Sequence, residues 1–198
     1  MAIILKQRDK DIMKFIEKYE GITIQQCGKM FFKNSKFPYD SARLRLKKLY
    51  NHKYLKRYEF SKNGFLVYCI NKSRRLSLHK IHLLNFYAEM INQGCKILSF
   101  DTEVEYMNCK IRPDGVVMYE FNNEIFPLII EIDLTNMTSI KKYEALYKTG
   151  ELQKTYGNDV FPLICIIGHN GDRKSNSFLN VSYLDFDLND FNKKVLMA

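Results

Sequence analysis

The amino-terminal part of the chain changes from helical to strand-like spacing of its apolar positions. Apolar side chains that recur every three to four residues predict three helices, at residues 6–19, 24–32 and 39–52. Thr23 is placed to act as the N-cap of the second helix. Alternation of apolar and polar residues then predicts a β-hairpin, with strands at residues 54–60 and 65–70. The Asn63-Gly64 pair between these strands is typical of a tight turn. Three helices and a hairpin predict a winged helix-turn-helix domain over residues 1–72, with the hairpin as its wing.

The rest of the chain has the pattern of a sheet flanked by helices. Helices are predicted at residues 78–93, 138–156 and 188–197, and strands at residues 96–107, 115–121, 127–134, 161–167 and 181–184. The run at residues 127–134 is apolar on both faces, as in a strand that is covered on both sides. The α-β-β-β-α-β order predicts a second domain over residues 73–198. The predicted fold class is therefore α+β with two domains.

The third predicted helix combines an apolar stripe with a basic surface. The stripe consists of Ala42, Leu46, Leu49 and Tyr50. A basic helix of this kind, after a turn closed by Pro38, has the features of a DNA recognition helix, because the stripe docks it and the cations reach phosphates and base edges. The predicted DNA contacts are Lys36, Tyr39, Ser41, Arg43, Arg45, Lys47, Lys48, Lys56, Arg57 and Lys62. Among them, Arg43, Arg45 and Lys47 are expected to lie nearest the major groove.

The charge distribution supports a nucleic-acid partner for the first domain. Residues 1–75 contain 19 Lys and Arg and 6 Asp and Glu, a net charge of +13, whereas residues 76–198 contain 12 and 16, a net charge of −4. A basic excess confined to one segment favours nucleic-acid binding there and a different role for the rest. Two alternatives stay open: cations that only keep a helical domain in solution, and a winged helix that docks a protein. Phe60, Phe65 and Tyr68 could stack on bases, although packing in the core or the wing is favoured.

Several classes of protein are disfavoured by composition. No apolar run approaches the ~20 residues needed to span a bilayer. The apolar start of the chain meets a charge at Lys6, too early for a signal peptide. The five cysteines are odd in number and never spaced C-x-x-C, which argues against a zinc ribbon and a disulfide framework. We therefore expect a cytoplasmic protein without membrane contact and without a resident cofactor.

Three carboxylates of the second domain are the candidate catalytic residues. Asp114 begins the second predicted strand, and Glu131 and Asp133 lie two apart on the third, on the same face. A hairpin pairing of these strands would bring Asp114 near Glu131, and this pair is the candidate Mg²⁺ site. Glu103 or Glu105 could approach from the first strand. Three interpretations stay open: a structural or partner-facing cluster, Mg²⁺-dependent nuclease chemistry, and metal binding without catalysis.

Residues 113–114 (Pro-Asp) and 131–133 (Glu-Ile-Asp) resemble the PD-(D/E)xK motif of restriction-endonuclease-like nucleases. The motif ends in a lysine, whereas this chain has Asp133, which would add repulsion where the lysine supports the phosphate. Lys141 or Lys142 on the next helix could take the place of that lysine. We therefore expect a nuclease-like domain that is inactive.

Both halves together resemble the replication-relaxation family of plasmids and mobile elements. The residues that carry the resemblance are 43–49, 54–57, 78–85, 112–117, 131–135 and 141–143. The family pattern tends toward Glu-x-Asp-Arg-Gly-Thr, from which residues 134–136 (Leu-Thr-Asn) depart. The resemblance implies a sequence-specific double-stranded DNA-binding protein in plasmid replication, relaxation or conjugative transfer, with replication or transfer proteins as partners. The alternatives are a Mg²⁺-dependent endonuclease or nickase and a protein-docking module. Residues 188–196 are a candidate segment for a homodimer.

Overall fold

In the computed structural model the chain is a mixed α and β protein with two separate sheets. The structure describes residues 4–61, 64–70, 75–108, 110–157, 160–169 and 173–197. In these ranges no helix is both long and apolar enough to cross a bilayer. The chain divides into two compact units, which we call unit 1 (Met1–Asn92) and unit 2 (Gln93–Ala198).

The described part of unit 1 consists of four helices and a small antiparallel sheet. Its elements are α1 (Gln7–Tyr19), β1 (Ile22–Thr23), α2 (Ile24–Phe31), α3 (Pro38–Asn51), β2 (Lys56–Glu59), β3 (Leu66–Cys69) and α4 (Leu78–Asn92). The sheet order is β1-β3-β2, so β3 pairs with β1 on one side and with β2 on the other. The apolar pattern predicts each of these elements except β1, which at two residues is too short to show alternation.

Two helices of unit 1 begin at residues that the sequence marks as helix starts. Thr23 Oγ1 accepts a hydrogen bond from the Gln26 N–H at 3.1 Å, and Gln26 Oε1 accepts one from the Thr23 N–H at 2.9 Å. This reciprocal pair satisfies two backbone donors at the start of α2. Pro38 is the first residue of α3. A backbone N–H at this position has no acceptor within the helix, so a proline there costs no hydrogen bond.

Helix α4 belongs to unit 1, whereas the sequence predicts it in the second domain. The predicted boundary falls within residues 71–74, which lie outside the described residues. The side chain of Gln26 on α2 donates a hydrogen bond to the Ile81 carbonyl at 3.2 Å. Lys29, one turn further along α2, pairs with Glu89 at 2.5 Å. Because these bonds join α4 to α2, the two units divide after α4 and not before it.

Within its described ranges, unit 2 contains a five-stranded sheet, two α-helices and a π-helix. Its elements are β4 (Lys96–Asp101), β5 (Gly115–Phe121), β6 (Glu124–Asp133), α5 (Ile140–Thr149), α6 (Glu151–Tyr156), β7 (Leu163–Gly168), β8 (Val181–Leu184) and a π-helix (Asn192–Leu196). The strand order is β4-β5-β6-β7-β8. Strands β4, β5 and β6 are antiparallel neighbours, and β6, β7 and β8 are parallel. Tyr143 and Leu146 of α5 and Leu152 of α6 pack on Ile129 and Ile164 of the sheet.

Three elements of unit 2 differ most from their predicted extents. The strand predicted over residues 96–107 is confined to β4, because Glu103 has a φ of 65°, which a strand does not allow. The helix predicted over residues 138–156 is divided into α5 and α6 by Gly150, whose φ is 68°. The helix predicted over residues 188–197 is a five-residue π-helix.

The two outer strands of this sheet are irregular or covered. The register between β4 and β5 shifts between Ile97 and Ser99, so Leu98 is the extra residue of a bulge. Beside β8, the Ser182 hydroxyl donates a hydrogen bond to the Lys194 carbonyl of the π-helix at 2.5 Å. One edge of the sheet therefore has a bulge, and the strand at the other edge contacts the π-helix through a side chain.

The candidate dimerisation segment at residues 188–196 buries three of its apolar side chains inside the chain. Leu188, Phe191 and Val195 are all buried. Because these three side chains pack within the chain, they are not accessible for contact with a second copy.

Candidate nucleic-acid interface and a buried carboxylate pair

Helix α3 buries its apolar stripe and exposes a basic surface. Ala42 and Leu46 are fully buried. The exposed cations of the helix are Arg43, Lys47 and Lys48. The Arg43 side chain is 48% exposed and lies 3.2 Å from the Asp40 carboxylate one turn earlier. An ion pair at this exposure contributes little, so Arg43 can exchange it for a phosphate or a base edge.

A cleft of about 530 Å³ lies between α3 and the hairpin formed by β2 and β3, and we call it the hairpin cleft. Arg43 and Lys47 line it from α3, and Arg57 lines it from β2. The rings of Tyr39 and Phe65 also border it, and both are exposed. None of the described residues that line the cleft carries a carboxylate. A concave surface with cations and no acidic group concentrates positive potential and attracts anions.

The opposite wall of the hairpin cleft comes from α2 and α4. It includes Thr23, Ile24 and Gln25 at the start of α2 and Ile81 and Asn85 on α4. The sequence predicts none of these as contacts. No local pattern could have indicated them, because the two helices meet only through tertiary packing.

Arg45 is predicted to lie beside the major groove, but its guanidinium is engaged within the fold. Its Nε donates a hydrogen bond to Asp9 Oδ1 at 2.5 Å, and its Nη2 donates to the same carboxylate and to the Ile4 carbonyl. The Asp9 side chain is 1% exposed. Burial by itself would raise the pKa of Asp9, and the hydrogen bonds from Arg45 and the Lys6 N–H outweigh it, so this pKa lies below its ordinary value. Arg45 therefore neutralises a buried charge, and the structure removes it from the predicted DNA contacts.

The remaining predicted contacts differ in accessibility. Lys36 and Lys56 are exposed. Ser41 is half-buried, and its hydroxyl lies 2.7 Å from the hydroxyl of Ser35, so it has a partner within the chain. Lys62 lies outside the described residues.

Asp114 and Glu131 lie together in unit 2, as the predicted hairpin pairing requires. Strands β5 and β6 are antiparallel and pair with Gly115 opposite Ile130. One residue beyond this pair, Asp114 therefore lies opposite Glu131. Asp114 Oδ2 accepts a hydrogen bond from the Ile132 N–H at 2.7 Å. The Asp114 charge also contributes to the raised pKa of Glu131.

Glu131 is 6% exposed and is held by two donors from α5. Its Oε1 accepts hydrogen bonds from Lys142 Nζ at 2.5 Å and from the Tyr143 hydroxyl. Burial raises the pKa of Glu131, and these two donors oppose it by favouring the carboxylate. Burial and the neighbouring Glu131 raise the pKa of Tyr143 as well. Lys142 thus contacts the Glu131 carboxylate. It is one of the two lysines that could replace the lysine of the nuclease motif.

Asp133 does not join this pair, contrary to the predicted set of three catalytic carboxylates. Both of its oxygens accept the Thr138 N–H at 3.0 Å, and Oδ1 accepts the Thr138 hydroxyl at 2.6 Å. Its carboxylate therefore closes the loop after β6. Glu103 and Glu105, either of which could have approached the pair from the first predicted strand, lie 3.4 and 3.9 Å from Arg112 on an exposed loop. In the described ranges no group of three or more His, Cys, Asp or Glu side chains is arranged to hold a metal ion.

Comparison with known proteins gives no match: no family model, no curated protein and no solved structure matches the chain. The resemblance drawn from the sequence motifs therefore stays a prediction.

Proposed function

We propose that unit 1 is a winged helix-turn-helix domain that binds double-stranded DNA, with α3 as its recognition helix and the β2–β3 hairpin as its wing. The observation that carries the proposal is the convergence of Arg43, Lys47 and Arg57 on a cleft whose described lining has no carboxylate. Cations on a docked helix and on an adjacent hairpin can contact phosphates on both sides of a groove. The net charge of +13 over residues 1–75 supplies the long-range attraction that such binding uses.

The salt dependence of binding tests this proposal. Fluorescence anisotropy of a labelled mixed-sequence duplex at several salt concentrations gives the slope of log K against log salt. Lys47→Ala should weaken binding to every duplex and make the slope shallower by about one. Arg43→Ala should cost roughly 1–3 kcal/mol at a site selected from a random duplex pool.

Lys14 on α1 provides the matched control. It is an exposed helical lysine outside the hairpin cleft, so Lys14→Ala should leave both affinity and slope unchanged. Equal effects of Lys14→Ala and Lys47→Ala would mean that only overall charge matters. No binding by the unaltered protein would contradict the proposal and favour a winged helix that docks a protein.

The biological process and the protein partners of this DNA binding are predicted from the resemblance alone. Sequence-specific action in plasmid replication, relaxation or conjugative transfer stays a prediction, as do replication or transfer proteins as partners. A restriction-endonuclease-like fold for unit 2 is part of the same proposal. The sheet order and the crossover through α5 and α6 support it.

A second candidate function is Mg²⁺-dependent cleavage of DNA by unit 2. The position of Lys142 favours it, because this lysine supplies the positive charge that Asp133 does not. Asp114 and Glu131 would hold the ion, and both are the hard oxygen donors that Mg²⁺ prefers. Bound there, the ion would activate water or stabilise the leaving oxygen of a phosphodiester.

Nicking of a supercoiled plasmid tests this candidate. Mg²⁺-dependent nicking should be lost in Asp114→Asn and retained in Asp101→Asn, which alters an exposed carboxylate on β4. No nicking with Mg²⁺ or Mn²⁺ would leave the pair as a structural feature of the sheet.

A further inference from the structure

Phe65 is an exposed aromatic ring that is already held in place for stacking. Its ring lies parallel to the ring of Phe60, with centroids 5.2 Å apart and an interplanar angle of 4°. Phe65 is nevertheless 42% exposed, so the contact with Phe60 leaves part of the side chain open. The chain passes close to residues 60 and 61 just before Phe65, since a Cβ added at Gly64 would meet the Phe60 carbonyl oxygen at 2.6 Å and the Ser61 hydroxyl at 2.7 Å. The ring that borders the hairpin cleft is therefore positioned before any ligand arrives.

The lining of the hairpin cleft matches a ligand with a flat apolar part and an anionic part. Ile24, Leu66 and Ile81 give it an apolar floor, and its cations lie on α3 and β2. One of these cations is also positioned in advance, because the Arg57 guanidinium lies 4.3 Å from the centroid of the Tyr50 ring. Phosphates alone would use the cations and leave the ring and the floor without a partner.

A nucleotide whose base is unpaired has both parts. In a duplex the bases are stacked on each other and only their edges are accessible, so a paired base cannot lie flat on Phe65. An unpaired base can leave the stack at a cost of a few kcal/mol and stack on an aromatic side chain instead. A cleft of about 530 Å³ has room for a group of this size.

We propose that the hairpin cleft takes one unpaired nucleotide of the bound DNA, with its base stacked on Phe65 and its phosphate on Arg43, Lys47 or Arg57. The inference rests on the proposed DNA binding by unit 1 and adds to it a preference for duplexes with a locally unpaired base. Such bases occur at melted, bulged or hairpin DNA.

The test compares three duplexes of one sequence: fully paired, with one unpaired adenine, and with an abasic site in place of that adenine. The full-length protein should bind the adenine bulge about tenfold more tightly than the other two. Phe65→Ala should remove this preference, measured as the ratio of its affinities for the bulged and paired duplexes, and Phe65→Trp should retain it. Phe37→Ala is the matched control, because Phe37 is 61% exposed in unit 1 but does not line the cleft. A 2-aminopurine at the bulge should lose fluorescence on binding to the unaltered protein and keep it with Phe65→Ala.

Each other outcome counts against the inference in a distinct way. Equal affinity for the paired and bulged duplexes would overturn it and leave the proposed DNA binding intact. Equal preference for the adenine and abasic bulges would assign the effect to DNA flexibility and also overturn it. Binding of free deoxyadenosine monophosphate that depends on Phe65, without a bulge preference, would assign the cleft to a free nucleotide. No binding to any of the duplexes would contradict the proposed function itself.

Discussion

Replacing Arg45 by alanine separates a role in the fold from a role in DNA binding. Arg45 lies on α3 two residues after Arg43, and both are arginines on the predicted recognition helix. Arg43 pairs with an exposed carboxylate, whereas Arg45 pairs with Asp9, whose side chain is 1% exposed. The structure therefore predicts opposite outcomes for the same substitution at the two positions. Arg45→Ala should destabilise unit 1, and Arg43→Ala should weaken DNA binding.

The size of the effect follows from burial. Removal of one partner from a buried ion pair costs about 3–5 kcal/mol, because the other charge stays buried without compensation. The Arg45 side chain is 18% exposed, so water reaches part of the site and we expect the lower end of this range, about 3 kcal/mol. For a unit of this size, that loss lowers Tm by roughly 12 °C or more. Loss of the exposed pair of Arg43 costs about 0.5 kcal/mol or less.

Thermal unfolding followed by circular dichroism measures this difference, and its pH dependence checks the cause. Because the folded pKa of Asp9 is lowered, the ion pair contributes its full stability above about pH 4. That contribution is lost as the pH falls through the folded pKa. The gap in Tm between the unaltered protein and Arg45→Ala should therefore be constant near neutral pH and shrink in acid. Equal Tm values for Arg43→Ala and Arg45→Ala, or a gap that does not change in acid, would refute this account.

Three further substitutions test local features of the fold, each by the free energy of unfolding in urea. Thr23→Ala removes the hydrogen bond to the Gln26 N–H at the start of α2 and should cost about 1 kcal/mol, whereas Thr23→Ser should cost much less. Gly150→Ala forces a side chain into a φ of 68° and should cost about 1 kcal/mol, although an added Cβ would meet no atom within 4 Å, and Gly150→Asn should cost less. Lys142→Met removes a partner of buried Glu131 and should cost about 2 kcal/mol at neutral pH. Because the pKa of Glu131 is already raised, that cost should disappear as the pH falls through the folded-state pKa of Glu131, where the carboxyl becomes neutral with or without Lys142; an undiminished cost in acid would exclude the charge as its origin.

Local chemistry explains which elements could be predicted from the sequence. Strand β5 has the predicted bounds, because its apolar residues are flanked by Asp114 on one side and the Asn122-Asn123 turn on the other. Helix α2 begins where Thr23 and Gln26 form their reciprocal hydrogen bonds. The pairing that brings Asp114 to Glu131 also follows from sequence, since a tight turn leaves two adjacent strands only one antiparallel arrangement.

The partners of individual side chains could not be predicted, because they lie far apart in the chain. Arg45 has the spacing of a groove-facing cation, and nothing near it in sequence indicates Asp9, 36 positions earlier. The choice of Lys142 over Lys141 depends on which side of α5 meets the sheet. Asp133 shows the opposite case: its partner Thr138 is only five positions away, and an Asx-type loop closure was a local alternative to a catalytic role.

The irregular edges of the sheet in unit 2 bear on how the protein behaves at high concentration. A regular outer strand offers unpaired N–H and C=O groups to any other chain, which is a route to aggregation. In β4 the bulge at Leu98 breaks the spacing of these groups, so a second strand cannot continue the ladder in register. At the other side, β8 is only four residues long and lies beside the π-helix. The bulge in β4 and the short length of β8 therefore disfavour edge-to-edge association through this sheet.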